Sequence, residues 1–194
     1  MKGARGGAGF PRTTAVLAIL MLGVHVWSMS RTDAVLLERC GVEPASWRAW
    51  QPATYAIVHT TWAHLLVNLA LLGLYGPGTE RRAKSWGLAL VFAGSAVAGG
   101  FAHVLFGPGT KILVGASGAV SGILAARAAA VPSDRIHLVG ALLWAAANAA
   151  AWATDPQGDR NLAYASHLGG FAAGALLGGV LRLAIGAPKP GRRF

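Results

Sequence analysis

Residues 113–127 read LVGASGAVSGILAAR, a stretch that is apolar at both ends and contains the tetrapeptide Gly-Ala-Ser-Gly. In a helix, Gly118 and Gly122 would share one face, and a face of small residues lets a second helix approach closely. Ser117 lies beside that face. The stretch therefore predicts a tightly packed helix, in which Ser117 is either a small packing residue or a reactive hydroxyl group.

The composition around this stretch is typical of a protein embedded in a lipid bilayer. Of the 194 residues, 54% are hydrophobic and only 12% are charged, against about 25% charged residues in soluble proteins. The formal net charge of +10 does not indicate nucleic-acid binding, because the chain has no dense Lys/Arg stripe with interleaved aromatic residues. Cys40 is the one cysteine, which excludes a disulfide within the chain and a thiol-based metal site.

Apolar windows long enough to cross a hydrocarbon core of about 30 Å recur along the chain. We place six of them, at about 13–30, 55–75, 86–106, 114–131, 136–153 and 162–184. Segments rich in Pro, Gly and charged residues separate the windows. The first window lacks an A-x-A-like cleavage site and is long for a signal peptide, so we interpret it as a retained helix. The sequence thus predicts an all-α, polytopic bundle of six transmembrane helices.

The basic residues are divided unequally between alternate gaps. With a cytoplasmic N-terminus, twelve of the 17 basic residues face the cytoplasm: Lys2, Arg5, Arg12, Arg81, Arg82, Lys84, Arg127, Arg135, Arg182, Lys189, Arg192 and Arg193. The other five face outward: Arg31, Arg39, Arg48, Lys111 and Arg160. Positive residues favour the cytoplasmic side. We therefore predict a multi-pass protein of the inner (plasma) membrane with both termini in the cytoplasm.

Polar residues recur near the outer ends of the second, fourth and sixth windows. His64 and Asn68 lie one turn apart, with His64 about nine residues into its helix, which corresponds to a depth of roughly 14 Å. Ser117 and His167 occupy the other two windows. Polar groups in a membrane are costly unless they face one another or a water-filled cavity. We expect these four side chains to lie together.

Glycines explain how the fourth and sixth helices could approach each other. The small residues expected at this contact are Gly115, Gly118, Gly122, Gly170 and Gly174, and Gly178 extends the sixth-helix face. Such a contact would bring the Ser117 hydroxyl and the His167 imidazole together. A serine hydroxyl needs a neighbouring base of this kind to become a nucleophile. His64, Asn68 and the backbone N–H of Ser117 would then be candidate donors to an oxyanion.

These residues together resemble the rhomboid family of intramembrane serine proteases. Three family motifs occur in order: H-x-x-x-N at His64 and Asn68, G-x-S-G at Gly115, Ala116, Ser117 and Gly118, and H-x-x-G-x-x-x-G at His167, Gly170 and Gly174. Glu80-Arg81 and His59 match further family positions. The compact chain and the segments VHTTWAHLLVN and LVGASGAVSG are similar to the rhombosortase subgroup, which processes C-terminal Gly-rich sorting signals.

The resemblance implies a single rhomboid-like membrane domain over residues 1–194 with a Ser-His dyad and no buried Asp. Ser117 would be the nucleophile, His167 the general base and then the acid, and His64 with Asn68 would stabilise the oxyanion. The substrates would be single-span transmembrane proteins, which enter laterally, unwind and are cut near the outer face. Neither a cofactor nor a metal is implied, and the oligomeric state stays open.

The chain departs from the family pattern at two positions. Ser121 stands where many bacterial members carry an aromatic residue that stacks on the catalytic imidazole. Gln51, after Trp50, stands where the family has the arginine of a Trp-Arg pair, although Trp47-Arg48 occurs three residues earlier. Both departures bear on how the histidine and the outer loop are held.

Other functions remain open. A catalytically inactive rhomboid-like protein would bind or escort transmembrane segments. Such proteins usually lack the serine or the histidine that corresponds to Ser117 or His167, whereas this chain has both. A haem or metal protein could use the six histidines, yet no pair has a diagnostic spacing. A transporter is disfavoured, because the chain has neither repeated halves nor an acidic residue inside a window.

Overall fold

The computed structural model describes residues 10–29, 33–109, 111–155 and 163–186. Over these residues the regular secondary structure is helical, with one isolated antiparallel bridge between Val42 and Leu113. The helices are α1 (Arg12–Met29), α2 (Asp33–Cys40), α3 (Gln51–Thr54), α4 (Trp62–Phe106), α5 (Ser117–Ala130), α6 (Arg135–Thr154) and α7 (Tyr164–Ile185). The expected all-α bundle is confirmed.

Some residues used in the sequence analysis lie outside the described ranges. They are Lys2, Arg5, Arg31, Arg160, Lys189, Arg192 and Arg193, together with the window ends at 30 and 162. Three features stay predictions: the orientation of the chain in the membrane, the presence of six membrane spans, and a single domain over residues 1–194.

Four of the described helices are long and apolar enough to cross a membrane: α1, α4, α6 and α7. Their outward faces are apolar, with Ile136 and Leu183 exposed to 84% and 85%. Exposed aliphatic side chains on this scale suit contact with lipid rather than with water. The short α5 has 14 residues, and every residue from Gly118 to Ala128 is buried. Protein rather than lipid therefore surrounds the backbone of α5.

The second and third windows form two helices within α4, which meet at a kink inside the segment GPGTERRAK, so the expected separation is present. The helix continues through Pro77, and its geometry breaks only at Lys84, with φ 64° and ψ 174°. Glu80 accepts hydrogen bonds from the backbone N–H groups of Thr13 and Thr14, at 2.8 and 2.9 Å. This contact with the start of α1 holds the segment helical despite the proline.

The start of the second window also differs from the expectation. Residues 55–57 form a 3-10 turn, Val58 is extended, and α4 begins only at Trp62. The Oγ1 of Thr61 caps the helix by accepting the backbone N–H of His64 at 3.1 Å. His64 therefore lies in the first turn of its helix, not nine residues into it.

Small residues join α5 to α7. Three pairs face each other in the same order along both helices: Gly118 with Gly170, Gly122 with Gly174, and Ala126 with Gly178. Because the pairs run in the same order, the two helices are parallel and begin at the same end of the bundle. A Cβ atom at Gly170 or Gly174 would overlap the backbone of α5, so this close approach requires glycine.

Candidate active site

Ser117 and His167 meet where α5 and α7 begin. Ser117 is the first residue of α5, and His167 lies in the first turn of α7. The Oγ–H of Ser117 donates to Nε2 of His167 at 2.8 Å, and the histidine is 8% exposed. The parallel glycine contact brings the two helix starts together. A hydroxyl bonded to an unprotonated ring nitrogen can lose its proton as it attacks a carbonyl.

The other nitrogen of the same imidazole is bonded to a residue that the sequence analysis did not single out. Nδ1–H of His167 donates to Oδ1 of Asn148 on α6 at 2.6 Å. The Asn148 amide is oriented by its Nδ2, which donates to the Trp144 carbonyl at 2.9 Å. One signal could have found it: Asn148 is an isolated amide in the apolar run AAANAAA, where an unpaired polar group is costly.

Ser121 takes part in the support of the histidine through an aromatic residue of α6. Its hydroxyl donates to the Ser117 carbonyl at 2.7 Å and accepts Nε1–H of Trp144 at 3.0 Å. The rings of Trp144 and His167 lie with centroids 5.8 Å apart and are inclined by 43°. The aromatic neighbour that the family pattern would place at position 121 thus comes from α6.

His64 and Asn68 lie one turn apart near the start of α4. The His64 ring packs against Gly115, whose φ of +101° and missing Cβ leave room for it. Asn68 is 2% exposed, and its Nδ2 donates to the His64 carbonyl at 2.9 Å. Gly115 precedes α5 and therefore contacts α4 rather than the α5–α7 face. The His64 ring thus lies beside the backbone that leads into Ser117, and Asn68 is buried one turn further along α4.

His59 is bonded to the backbone immediately before Ser117. Its Nε2 accepts the backbone N–H of Ala116 at 3.3 Å, and its carbonyl accepts Nδ1–H of His25 at 2.9 Å. The carbonyl of Tyr55 accepts the N–H of Gly115 at 3.0 Å. These bonds orient the start of α5, whose first N–H groups have no acceptor within the helix and can serve an anion.

The histidines near this backbone do not assemble into a metal site. Over the described ranges, no group of three or more His, Cys, Asp or Glu side chains could hold a metal ion. His25 and His59 are used in the hydrogen bonds given above, and the His59 and His64 rings meet edge to face, with centroids 5.0 Å apart.

Gln51 forms hydrogen bonds to two parts of the segment between α1 and α4. Its Nε2 donates to the Glu38 carbonyl at 2.9 Å, and its Oε1 accepts the Arg48 N–H at 2.7 Å. The side chain is 4% exposed. Nearby, Trp50 Nε1–H donates to the Arg39 carbonyl at 3.0 Å. An uncharged amide therefore connects this segment at the position where the family pattern has arginine.

Comparisons with known proteins agree with this geometry. Residues 46–184 match the Rhomboid domain family, a range that includes His64, Ser117 and His167. Over 120 residues the chain is 33% identical to the Bacillus subtilis (strain 168) protein named "Putative rhomboid protease YdcA", and the match covers 59% of each chain. The chain thus spans less than two thirds of that relative. With its apolar helices and a family match over most of its length, the chain is an integral membrane protein that belongs to the rhomboid family.

Proposed function

We propose that the protein is an intramembrane serine endopeptidase with Ser117 as nucleophile and His167 as general base. The single observation that carries the proposal is the 2.8 Å hydrogen bond between Ser117 Oγ and His167 Nε2. A hydroxyl and an imidazole in this relation have the geometry of an activated nucleophile. The protease named among its relatives supports the same reaction class.

The proposed reaction has two stages. Ser117 Oγ attacks the scissile carbonyl carbon while its proton moves to His167 Nε2, which forms a tetrahedral oxyanion and an imidazolium. The imidazolium then protonates the leaving amine, the C–N bond breaks, and an acyl-enzyme remains. A water molecule, deprotonated by the same nitrogen, attacks the ester and releases the second product together with the free hydroxyl of Ser117.

The oxyanion would form beside the start of α5. The backbone N–H of Ser117 belongs to the first turn of that helix, where the helix dipole favours a negative charge. The His64 ring next to Gly115 and the amide of Asn68 are the proposed side-chain donors. In this role they would bind the transition state more strongly than the substrate carbonyl.

The proposed substrates are single-span transmembrane proteins that enter laterally, unwind and are cut near the outer face of the inner membrane. Support comes from the basic residues, whose distribution favours cytoplasmic termini and so assigns the starts of α4, α5 and α7 to the outer side. The rhombosortase-like segments extend the proposal to substrates with a C-terminal Gly-rich sorting signal, a transmembrane helix and a basic tail.

The competing function is binding without cleavage, in which the protein would escort transmembrane segments. The hydrogen-bonded Ser117 and His167 favour the enzyme, because binding alone has no use for an activated hydroxyl.

A fluorophosphonate probe separates the two functions. Purified wild type in detergent is expected to be labelled covalently, and Ser117→Ala is expected to lose the label. Ser133→Ala, which changes an exposed serine between α5 and α6, serves as the matched control and should be labelled like wild type. Equal labelling of wild type and Ser117→Ala would reject the proposed nucleophile.

A further inference from the structure

The helix α6 is attached to the bundle through few buried side chains. Ala141 and Asn148 are its two buried residues, and its other faces carry alanines and leucines. Trp144 and Asn148 lie one turn apart, hence on the same side of the helix. Both contact His167, which is the base in the proposed function.

Asn148 can select the tautomer of the histidine. A carbonyl oxygen only accepts, so Oδ1 of Asn148 requires the hydrogen of the imidazole to be on Nδ1. Nε2 then carries the lone pair that accepts the Ser117 proton. In the opposite tautomer Nε2 would carry a hydrogen and could not act as a base.

The amide of Asn148 is itself held in the required orientation. If its oxygen and nitrogen were exchanged, Nδ2–H would face the hydrogen on Nδ1, and the oxygen would face the Trp144 carbonyl. The bond from Nδ2 to that carbonyl at 2.9 Å excludes the exchange. The acceptor therefore stays aimed at the imidazole while it gains and loses its second proton.

The Trp144 ring has a second anchor in α5. Its Nε1–H donates to Ser121, whose hydroxyl in turn donates to the Ser117 carbonyl. The helix that carries the nucleophile thereby fixes the indole that contacts the base. The His167 imidazole is thus bonded to the Asn148 amide at Nδ1 and lies beside the fixed Trp144 ring. It therefore has little freedom to move away from Ser117.

We propose that Asn148 and Trp144 are positioning residues for His167, with Asn148 as the third member of a Ser-His-Asn arrangement and Ser121 as the anchor of the indole. The inference rests on the proposed function. It adds that a neutral amide on α6 supports the histidine, where a Ser-His-Asp triad would use a carboxylate. The aromatic neighbour of the imidazole likewise comes from α6 rather than from position 121.

The test compares kcat and KM for cleavage of a single-span reporter by three α6 variants. Asn148→Leu keeps the side-chain size but removes the acceptor, and it should lower kcat at least about tenfold with KM within about twofold. Asn148→Asp keeps an acceptor and should recover most of that loss. Leu142→Ala, on the exposed face of α6, is the control and should match wild type.

A spectroscopic measurement covers the case in which Asn148→Leu simply folds less well. With ¹⁵N-labelled histidine, and the His167 signals assigned from their loss in His167→Gln, wild type should show hydrogen on Nδ1. Asn148→Leu should shift the signals toward the other tautomer. Unchanged signals together with unchanged kcat would overturn the inference, as would a loss confined to KM.

Failure of the proposed function gives a different result. If wild type neither cleaves the reporter nor binds the fluorophosphonate at Ser117, the protease proposal fails and this inference fails with it. If wild type is labelled and Asn148→Leu is labelled at the same rate, only the inference fails.

Discussion

Ser117 Oγ and His167 Nε2 lie 2.8 Å apart, although 50 positions separate the two residues in the chain. The relationship depends on contacts deeper in the bundle, where Gly170 and Gly174 of α7 meet the backbone of α5. Gly170 faces Gly118, the residue after Ser117, and Gly174 faces Gly122 one turn further along. Changes at the glycine contact should therefore affect both the stability and the chemistry of the protein.

Gly174→Ala is expected to destabilise the protein by about 1–3 kcal/mol, because the added Cβ overlaps the Gly122 backbone. It should also lower kcat, since α7 must shift away from α5. Gly179→Ala, five residues along the same helix with nothing near its Cβ, should cause no loss of stability. Thermal unfolding in detergent would compare the two variants, and equal behaviour would argue against close α5–α7 packing.

Ser121→Ala should lower kcat by about threefold to tenfold, because Trp144 loses the acceptor of its indole N–H. Trp144→Phe, which lacks that N–H, should have a similar effect. If the two residues act through one hydrogen bond, the double variant should be little worse than either single variant. Additive losses in such a double-mutant cycle would show that the Ser121–Trp144 contact does not hold the histidine.

The sequence predicts the contact between Ser117 and His167, because the evidence for that contact is periodic and local. Glycines four apart mark the α5–α7 contact, and Ser117 and His167 stand at fixed positions beside them. Asn148 was not predicted, because a single amide in a run of alanines forms no repeating pattern with other polar residues. Its partner, His167, lies 19 positions away in the chain. The role of Ser121 escaped prediction for a similar reason, since it depends on an indole from another helix.

The helix boundaries show a second limit. Pro77 and its neighbouring glycines are typical of a break, but a hydrogen-bonded Glu80 keeps α4 helical to Ala83. The segment 55–61 was included in the second apolar window, but the cap formed by Thr61 makes α4 begin only after this segment. In both places a contact that hydropathy does not report decides where the helix begins or ends.

His59→Leu is expected to destabilise the protein by about 1–3 kcal/mol, because the buried N–H of Ala116 loses its acceptor. The same change should lower the rate of fluorophosphonate labelling, since the backbone before Ser117 becomes less restrained. Thr60→Ala, at the exposed neighbouring position, is the control. A His59→Leu protein with wild-type stability and labelling rate would contradict the anchoring role.

Asp134 should make stability depend on pH. His137 Nδ1 lies 2.8 Å from its carboxylate, and this close side-chain contact, followed by the charges of His137 and Arg127, lowers the Asp134 pKa. A lowered folded-state pKa means that the carboxylate stabilises the protein above the unfolded value of about 4 and that this contribution disappears as the pH falls.

Asp134→Asn tests that sign. At pH 6 the variant should be less stable than wild type by about 1–3 kcal/mol, because the 2.9 Å ion pair with buried Arg127 is lost. The difference should shrink as the pH falls below about 4. Unfolding measured at several pH values would check it, and a difference that grows on acidification would contradict the assignment.

Cleavage of a single-span reporter in proteoliposomes tests the central claim most directly. Wild type should release two fragments by cutting near one membrane face, whereas Ser117→Ala and His167→Ala should each abolish cleavage while unfolding at temperatures close to that of wild type. Cleavage that persists in either well-folded variant would contradict the Ser117–His167 mechanism.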